Sequence, residues 1–281
     1  MIQRILTDTD LARYAAHLRD AGRSTGTLDK YLRDLRQFCA WLAGAPLEAV
    51  HLIEWKEALL ATGLAPVTIN SKLAALNGFF RWMGWPELHA SYFKVQRQLF
   101  RADARTLTRR DYDCLLQTAR RRGQRRLSLL MQTICGTGIR VSELRNITVV
   151  AVRSGKAEIY LKGKVRVILL PQKLCHKLLR YARAQKIAHG EIFLTVSGKS
   201  LGRRQIWDEM KRLAKASGVA ASKVFPHNLR HLFATAFYEH SHDIVRLADV
   251  LGHSSIDTTR IYLTSTGSEH LRTLEALGLV P

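Results

Sequence analysis

The sequence predicts a mainly α protein, with an all-helical N-terminal domain followed by an α+β domain that carries one small antiparallel sheet. Three observations lead there. Apolar residues recur at helical spacing through most of the chain, a polar and arginine-bearing stretch interrupts them once near residues 96–106, and the period turns from helical to alternating between Glu158 and Leu170. With 281 residues and 47% hydrophobic content, the chain can bury two cores of ordinary size.

The first helix is expected over Asp8–Asp20, where Leu11, Tyr14, Ala15 and Leu18 share a face and Gly22 follows. Ser24 and Thr25 can cap a second, whose Leu28, Tyr31, Leu32, Leu35, Phe38, Trp41 and Leu42 form a wide apolar face. Its Lys30, Arg33 and Arg36 lie elsewhere on the cylinder, as a DNA-facing or merely solvated side. A third helix starts at Pro46 or Leu47 and ends near Gly63. A fourth runs from Pro66, a favoured first-turn residue, to about Met83, with Ile69, Leu73, Leu76, Phe80 and Met83 buried. The expected domains are therefore a helical unit at 1–95, a linker at 96–106 made basic by Arg97, Arg101 and Arg105, and a second unit at 107–281.

That second unit opens at Thr108, a cap with Asp111 three residues on. Arg120, Arg121, Arg122, Arg125 and Arg126 crowd around Gly123, and charges so dense read best as phosphate contacts. A helix from Leu127 to about Cys135 stops at Gly136-Thr137-Gly138, and a hairpin then turns at or near Gly163. Helices resume after Pro171, over Ser200–Ser217, His227–His240 and Asp243–Leu251, then in a short one through Tyr262 and a tail from Ser268 to Leu277.

Forty-four Lys and Arg against twenty-three Asp and Glu give a formal charge of +21, which repels itself unless a polyanion offsets it. Nucleic acid is the first candidate, an anionic membrane surface the second. The N-terminus lacks a signal-peptide pattern, and no apolar run reaches the roughly 18 residues that span a bilayer, so a cytoplasmic protein is expected. Cys39, Cys114, Cys135 and Cys175 are far apart and form no CxxC pair, which argues for buried free thiols rather than a metal site.

The residues able to do chemistry are Arg140 after a glycine-rich helix end, a lysine on the hairpin, His227 and Arg230 on one helix, His253 after a glycine, and Tyr262. This set suits attack on a phosphodiester. Two arginines can clamp the non-bridging oxygens, a tyrosine can act as nucleophile, and a lysine can protonate the leaving oxygen, with no metal or cofactor called for.

Gly138-Ile139-Arg140-Val141-Ser142-Glu143-Leu144, His227-Asn228-Leu229-Arg230-His231, Leu251-Gly252-His253-Ser254 and Tyr262 resemble the signature boxes of the tyrosine recombinases, also called the phage integrase family. The first domain, through Ser24, Thr27, Tyr31, Phe38, Trp41, Thr68, Asn70, Leu73 and Phe80, is similar to the family's helical core-binding domain, with no arm-binding domain ahead of it. The resemblance implies that Tyr262 attacks DNA to leave a 3′-phosphotyrosine and a free 5′ hydroxyl. Arg140 and Arg230 would bind the phosphate, His227 would move the nucleophile's proton, and His253 would donate to a phosphate oxygen. Glu143 would orient Arg140 or lie on a helix surface, and His231 would be structural.

The hairpin departs from the family pattern. Lys162-Gly163-Lys164-Val165-Arg166 is one residue shorter than the common Lys-Gly-Asn-Lys-x-Arg, so Lys162 is the expected acid and Lys164 the alternative. Leu271, Leu274 and Leu277 offer an apolar stripe for docking on a neighbouring protomer, in a tetramer on two DNA duplexes, or for packing within the same subunit. The leading expectation is a site-specific DNA recombinase. A type IB topoisomerase-like enzyme and a DNA-binding regulator without cleavage activity are the alternatives.

Overall fold

The computed structural model describes residues 4–95, 106–161, 164–253, 255–262 and 275–278, without the side chains of Leu161 and Lys164. The chain divides into two compact units, Met1–Arg97 and Gln98–Pro281. The basic stretch at 96–105, the hairpin turn with Lys162, and all of the tail except residues 275–278 lie outside the described residues.

The first unit packs four helices, α1 (Asp8–Asp20), α2 (Thr25–Leu42), α3 (Ala49–Ala61) and α4 (Pro66–Trp82). Thr7 and Asp10 close a reciprocal cap at the start of α1, and the Ser24 hydroxyl accepts from the Thr27 amide at 3.3 Å to start α2. The third helix begins at Ala49, two residues after Leu47, because the chain before it is tied by the Leu47 amide to the Arg4 carbonyl. Phe38, Ile69, Leu73, Leu76, Phe79 and Phe80 make the core and are fully buried. Lys30 does not belong to a free basic face. It and Lys72 bond the buried Asp34 at 3.0 and 3.2 Å, so their charges are committed to holding α2 against α4.

The second unit is built on α5 (Arg109–Arg121), α6 (Arg125–Thr137), α8 (Gln172–Ala184), α9 (Arg203–Ser217) and α10 (Pro226–Ser241). The expected Thr108–Asp111 capping box is present. After α6 the chain makes a 3₁₀ turn over Val141–Asn146 and a short helix α7 (Val149–Ser154), where the sequence reading passed directly to alternation. Six residues are too few for a helical period to stand out. Strands β1 (Lys156–Leu161) and β2 (Lys164–Leu169) pair antiparallel with Ile159 opposite Arg166. α11 (Ile244–Leu251) and α12 (Ile256–Arg260) complete the unit among the described residues. The four cysteines are free, with Cys175 buried and the other three half-buried.

Of the five clustered arginines, Arg126 is not available as a phosphate contact. It donates to Glu209 at 2.6 Å and to the Leu194 carbonyl at 2.7 Å. Arg120, Arg121, Arg122 and Arg125 stay exposed.

Candidate active site

Four separate stretches of the second unit converge on one cleft of about 460 Å³, lined by Arg140, His227, Arg230, His253 and Tyr262, with Arg203 and Trp207 of α9 also in its wall. Helix α6 is capped by Gly138 with φ +65°, a left-handed turn that leads into Arg140, the residue that caps the 3₁₀ segment. A Cβ there would meet the Phe233 ring at 2.6 Å, so the tight packing of α10 also requires glycine.

Arg230 is 2% exposed and holds the site together. Its Nη1 donates to the Gly138 carbonyl, its Nη2 to the Leu251 carbonyl at 2.8 Å and towards His253 Nε2 at 2.9 Å, and its Nε to the Tyr262 hydroxyl at 3.4 Å. One guanidinium thus joins the end of α6, the end of α11 and the tyrosine. Burial lowers its pKa from the ordinary arginine value, with Tyr262 acting in the opposite direction.

His253 follows Gly252, the left-handed cap of α11, and its Nδ1 lies 2.8 Å from the hydroxyl of the buried Thr259. Burial first, then Arg230, Arg140 and Arg166, hold its pKa down to about 4. The ring is therefore neutral at pH 7. Because Arg230 can only donate to Nε2, the remaining proton belongs on Nδ1, facing Thr259.

Tyr262 is 3% exposed and packs with Ala234, Leu247 and Leu251. Three imidazoles surround its ring: His253 stacks on it at 5.7 Å and 9°, His231 meets it edge-on at 5.1 Å, and His227 lies 5.8 Å away. His231 is nearer the tyrosine ring than its structural assignment implied, and its Nδ1 sits 3.3 Å from the Thr235 hydroxyl. The tyrosine lines the same cleft as Arg140 and Arg230 of its own chain.

Glu143 is 2% exposed and is not a surface carboxylate. It accepts from the Arg140 amide and Arg140 Nη1, both at 2.9 Å, which fixes the direction of that side chain. Arg140 itself is 40% exposed and its Nη2 reaches the Gly252 carbonyl at 3.3 Å. Glu143 has a second cation that the sequence reading left without a role. Arg166 of β2 donates to it at 3.0 and 3.3 Å and to the Val250 carbonyl at 2.9 Å. A signal was present: Arg166 alternates with the buried Ile168 on the inward face of a strand, where a lone arginine needs a partner. Thr259 carried no such signal. Lys162 lies outside the described residues, and of Lys164 the structure fixes the backbone alone, paired with Leu161 at the end of β2.

Known proteins resemble this chain along most of its length. Residues 105–269 match the model of the phage integrase family, and residues 11–86 that of the phage integrase N-terminal SAM-like domain. The tyrosine recombinase XerD of Xanthomonas campestris pv. campestris is 30% identical, over 92% of this chain and 87% of that protein. The tyrosine recombinase XerA of Thermococcus kodakarensis is 29% identical, over 93% and 92%. Among solved structures, the post-cleavage complex of the XerH site-specific recombinase with a palindromic difH substrate superposes with a TM-score of 0.73. It is 20% identical and covers 97% of this chain and 84% of that one. A lambda integrase dimer bound to a COC′ core site gives 0.72 at 20% identity, over 92% and 95%. At such identities the structures speak for the fold, while the sequence matches span both units: the chain belongs to the phage integrase family of tyrosine recombinases.

Proposed function

We propose that the protein is a site-specific DNA recombinase that cuts and rejoins strands through a 3′-phosphotyrosine on Tyr262. The observation that carries this reading is the placing of Arg230, which donates both to the Tyr262 hydroxyl and towards His253 in the cleft that Arg140 enters.

In the forward step the scissile phosphate sits between Arg140 and Arg230. The Tyr262 oxygen attacks phosphorus and its proton passes to His227. The bond from phosphorus to the 5′ oxygen breaks, and Lys162, or failing it Lys164, delivers a proton to that oxygen. The arginines offset charge that grows on the non-bridging oxygens, and losing one such donor costs roughly 10²–10³ in rate. An anion entering the cleft takes up the Arg230 N–H now directed at His253 and favours protonation of the imidazole, so Nε2 changes from acceptor to donor. Rejoining reverses the sequence, with a 5′ hydroxyl attacking the phosphotyrosine. One phosphodiester is replaced by another of similar energy at each stage, so no external energy source is needed.

Duplex DNA is the partner the +21 charge fits, with Arg120, Arg121, Arg122 and Arg125 contacting phosphates. Beside α5, α6, α8 and α10 lies a groove of about 800 Å³ with Tyr112, Leu174, Leu232, Phe233 and Phe237 in its wall. The tail stripe of Leu271, Leu274 and Leu277 from a neighbouring protomer is its proposed occupant, giving a tetramer on two duplexes. No helix among the described residues is long and apolar enough to cross a membrane. Chromosomal or plasmid DNA as substrate makes the cytoplasm the place of action.

The test captures covalent adducts that survive denaturation from a randomised duplex pool carrying nicks. Wild type is expected to form adducts and Tyr262→Phe none. If wild type forms none, or Tyr262→Phe forms as many, the catalytic reading is wrong. Relaxation of supercoils without exchange of partners would favour the topoisomerase-like alternative, and sequence-specific binding without adducts the regulator.

A further inference from the structure

We propose that Arg166 is a positioning residue of the phosphate site, the counter-ion that lets Glu143 aim Arg140 without neutralising it. The inference rests on the reading of Arg140 as a phosphate clamp.

A carboxylate is the usual way to fix the direction of an arginine, but it also neutralises the charge it directs. Glu143 does the directing through two bonds to Arg140, one from the backbone amide and one from Nη1. If Arg140 were its only cation, the pair would present little net charge to a phosphate. Arg166 removes that conflict. Its Nη1 lies within 3.3 Å of both Glu143 oxygens, and its side chain is only 14% exposed. The carboxylate is thereby balanced from the interior, while Arg140, at 40% exposed, keeps its charge at the cleft. Burial lowers the Arg166 pKa to about 10, which leaves it a cation at neutral pH.

The same side chain fixes a second donor. Arg166 Nη2 holds the Val250 carbonyl, and its Cδ and Nε pass directly over Gly252, where an added Cβ would lie 2.3 and 2.5 Å from them. Gly252 precedes His253, and its carbonyl receives Arg140 Nη2. Arg166 therefore sets the turn that presents His253 as well as the net charge that Glu143 and Arg140 together show to the cleft. Its buried Nε has no hydrogen-bond partner among the described residues and packs against Gly252. No part of Arg166 lines the cleft, which makes its action indirect.

The experiment measures adduct formation at saturating DNA on a scissile phosphodiester and on a neutral methylphosphonate at the same position. Arg166→Met is expected to slow the phosphodiester about tenfold or more and the methylphosphonate less than about threefold, because the neutral linkage develops less charge for Arg140 to offset. Rates are taken per folded molecule, so a loss of folded protein does not enter the comparison. Adding Glu143→Gln to Arg166→Met should recover rate, since it removes the carboxylate that now neutralises Arg140. Further loss in the double variant, or equal defects on both linkages, overturns the proposal. Should Arg166→Met fold poorly, Gly252→Ala displaces the same side chain while keeping its charge. It is expected to cost less in an Arg166→Ala background than in wild type, and additive costs would overturn the contact on which the inference stands. Arg140→Ala is the reference. If its defect is not relieved on methylphosphonate, the phosphate-clamp reading fails. If it is relieved and Arg166→Met is not, only the role of Arg166 fails.

Discussion

Two glycines at the end of α6, Gly136 and Gly138, should respond in opposite directions to the same substitution. Gly138→Ala places a Cβ at φ +65°, which costs an L-residue about 1–2 kcal/mol. That Cβ would also lie 2.6 Å from Phe233 Cδ1 and 2.9 Å from Leu251 Cδ2, and overpacking of this kind costs about 1–3 kcal/mol more. The expected loss is the sum, about 2–5 kcal/mol, against a total stability of roughly 5–15 kcal/mol for a domain. The carbonyl of Gly138 accepts from Arg230 Nη1, so the shift that relieves the clash also moves the Arg230 guanidinium. Gly136 lies within α6 and does not have a positive φ, and its nearest foreign atom is Leu174 Cδ2 at 3.9 Å. Gly136→Ala should therefore gain about 0.5–1 kcal/mol of helix stability. Native-state hydrogen exchange of the α10 amides in the full chain reads both. Amides that open only with the whole unit should exchange roughly 30-fold to several thousand-fold faster in Gly138→Ala, and up to about fivefold slower in Gly136→Ala. Exchange in Gly138→Ala within threefold of wild type, or a shift of both variants in one direction, would refute the argument.

Three further outcomes are expected. The folded pKa of His253, about 4, lies below the ordinary histidine value of 6.5, so the unfolded chain takes the proton first. The stability this group contributes above pH 6.5 is lost as pH falls towards 4, and His253→Gln should flatten the fall of the thermal midpoint in that window; an unchanged slope would contradict it. Arg122→Ala should lower the salt dependence of DNA binding by about one phosphate's worth, whereas Arg126→Ala, which breaks the pair with Glu209, should lower stability and leave the slope unchanged. The leaving-group proton should come from Lys162: replacing the 5′ bridging oxygen by sulfur should restore cleavage by Lys162→Ala, and restoration of Lys164→Ala instead would reassign the acid.

What the sequence disclosed follows the range of the forces involved. Thr108 with Asp111, Ser24 with Thr27 and Pro66 act within one helical turn, and each start lies where those residues place it. The hairpin was legible because alternation over β1 and β2 needs only neighbouring residues. The convergence of Arg140, His227, Arg230, His253 and Tyr262 was implied by the resemblance of their boxes to a known family, since no local rule brings them together. Charges were harder. Lys30 and Arg126 read as surface cations, yet besides its i+4 neighbour Asp34 the first reaches the Ser71 carbonyl, and the second reaches Glu209 and the Leu194 carbonyl, partners set by tertiary packing. Arg166 is the clearest case, since both of its anchors, Glu143 and Val250, come from distant segments.

The tyrosine itself offers the last test, because in the free protein it occupies a hydrogen-bonding direction that the phosphate needs. Arg230 is almost fully buried and its Nε finds the Tyr262 hydroxyl at 3.4 Å, a long bond. Removing that hydroxyl in Tyr262→Phe leaves a buried donor unsatisfied, at a cost of up to about 1 kcal/mol for so weak a bond. The cost falls on the free state alone, since a bound phosphate supplies an oxygen to the same N–H. Tyr262→Phe should therefore bind its DNA site up to about fivefold more tightly than wild type while forming no adduct. Equilibrium titration in a buffer of fixed salt measures this directly. Binding weakened by more than about threefold would mean that the hydroxyl supports the DNA complex rather than competing with it, and that Arg230 is not held in reserve by Tyr262.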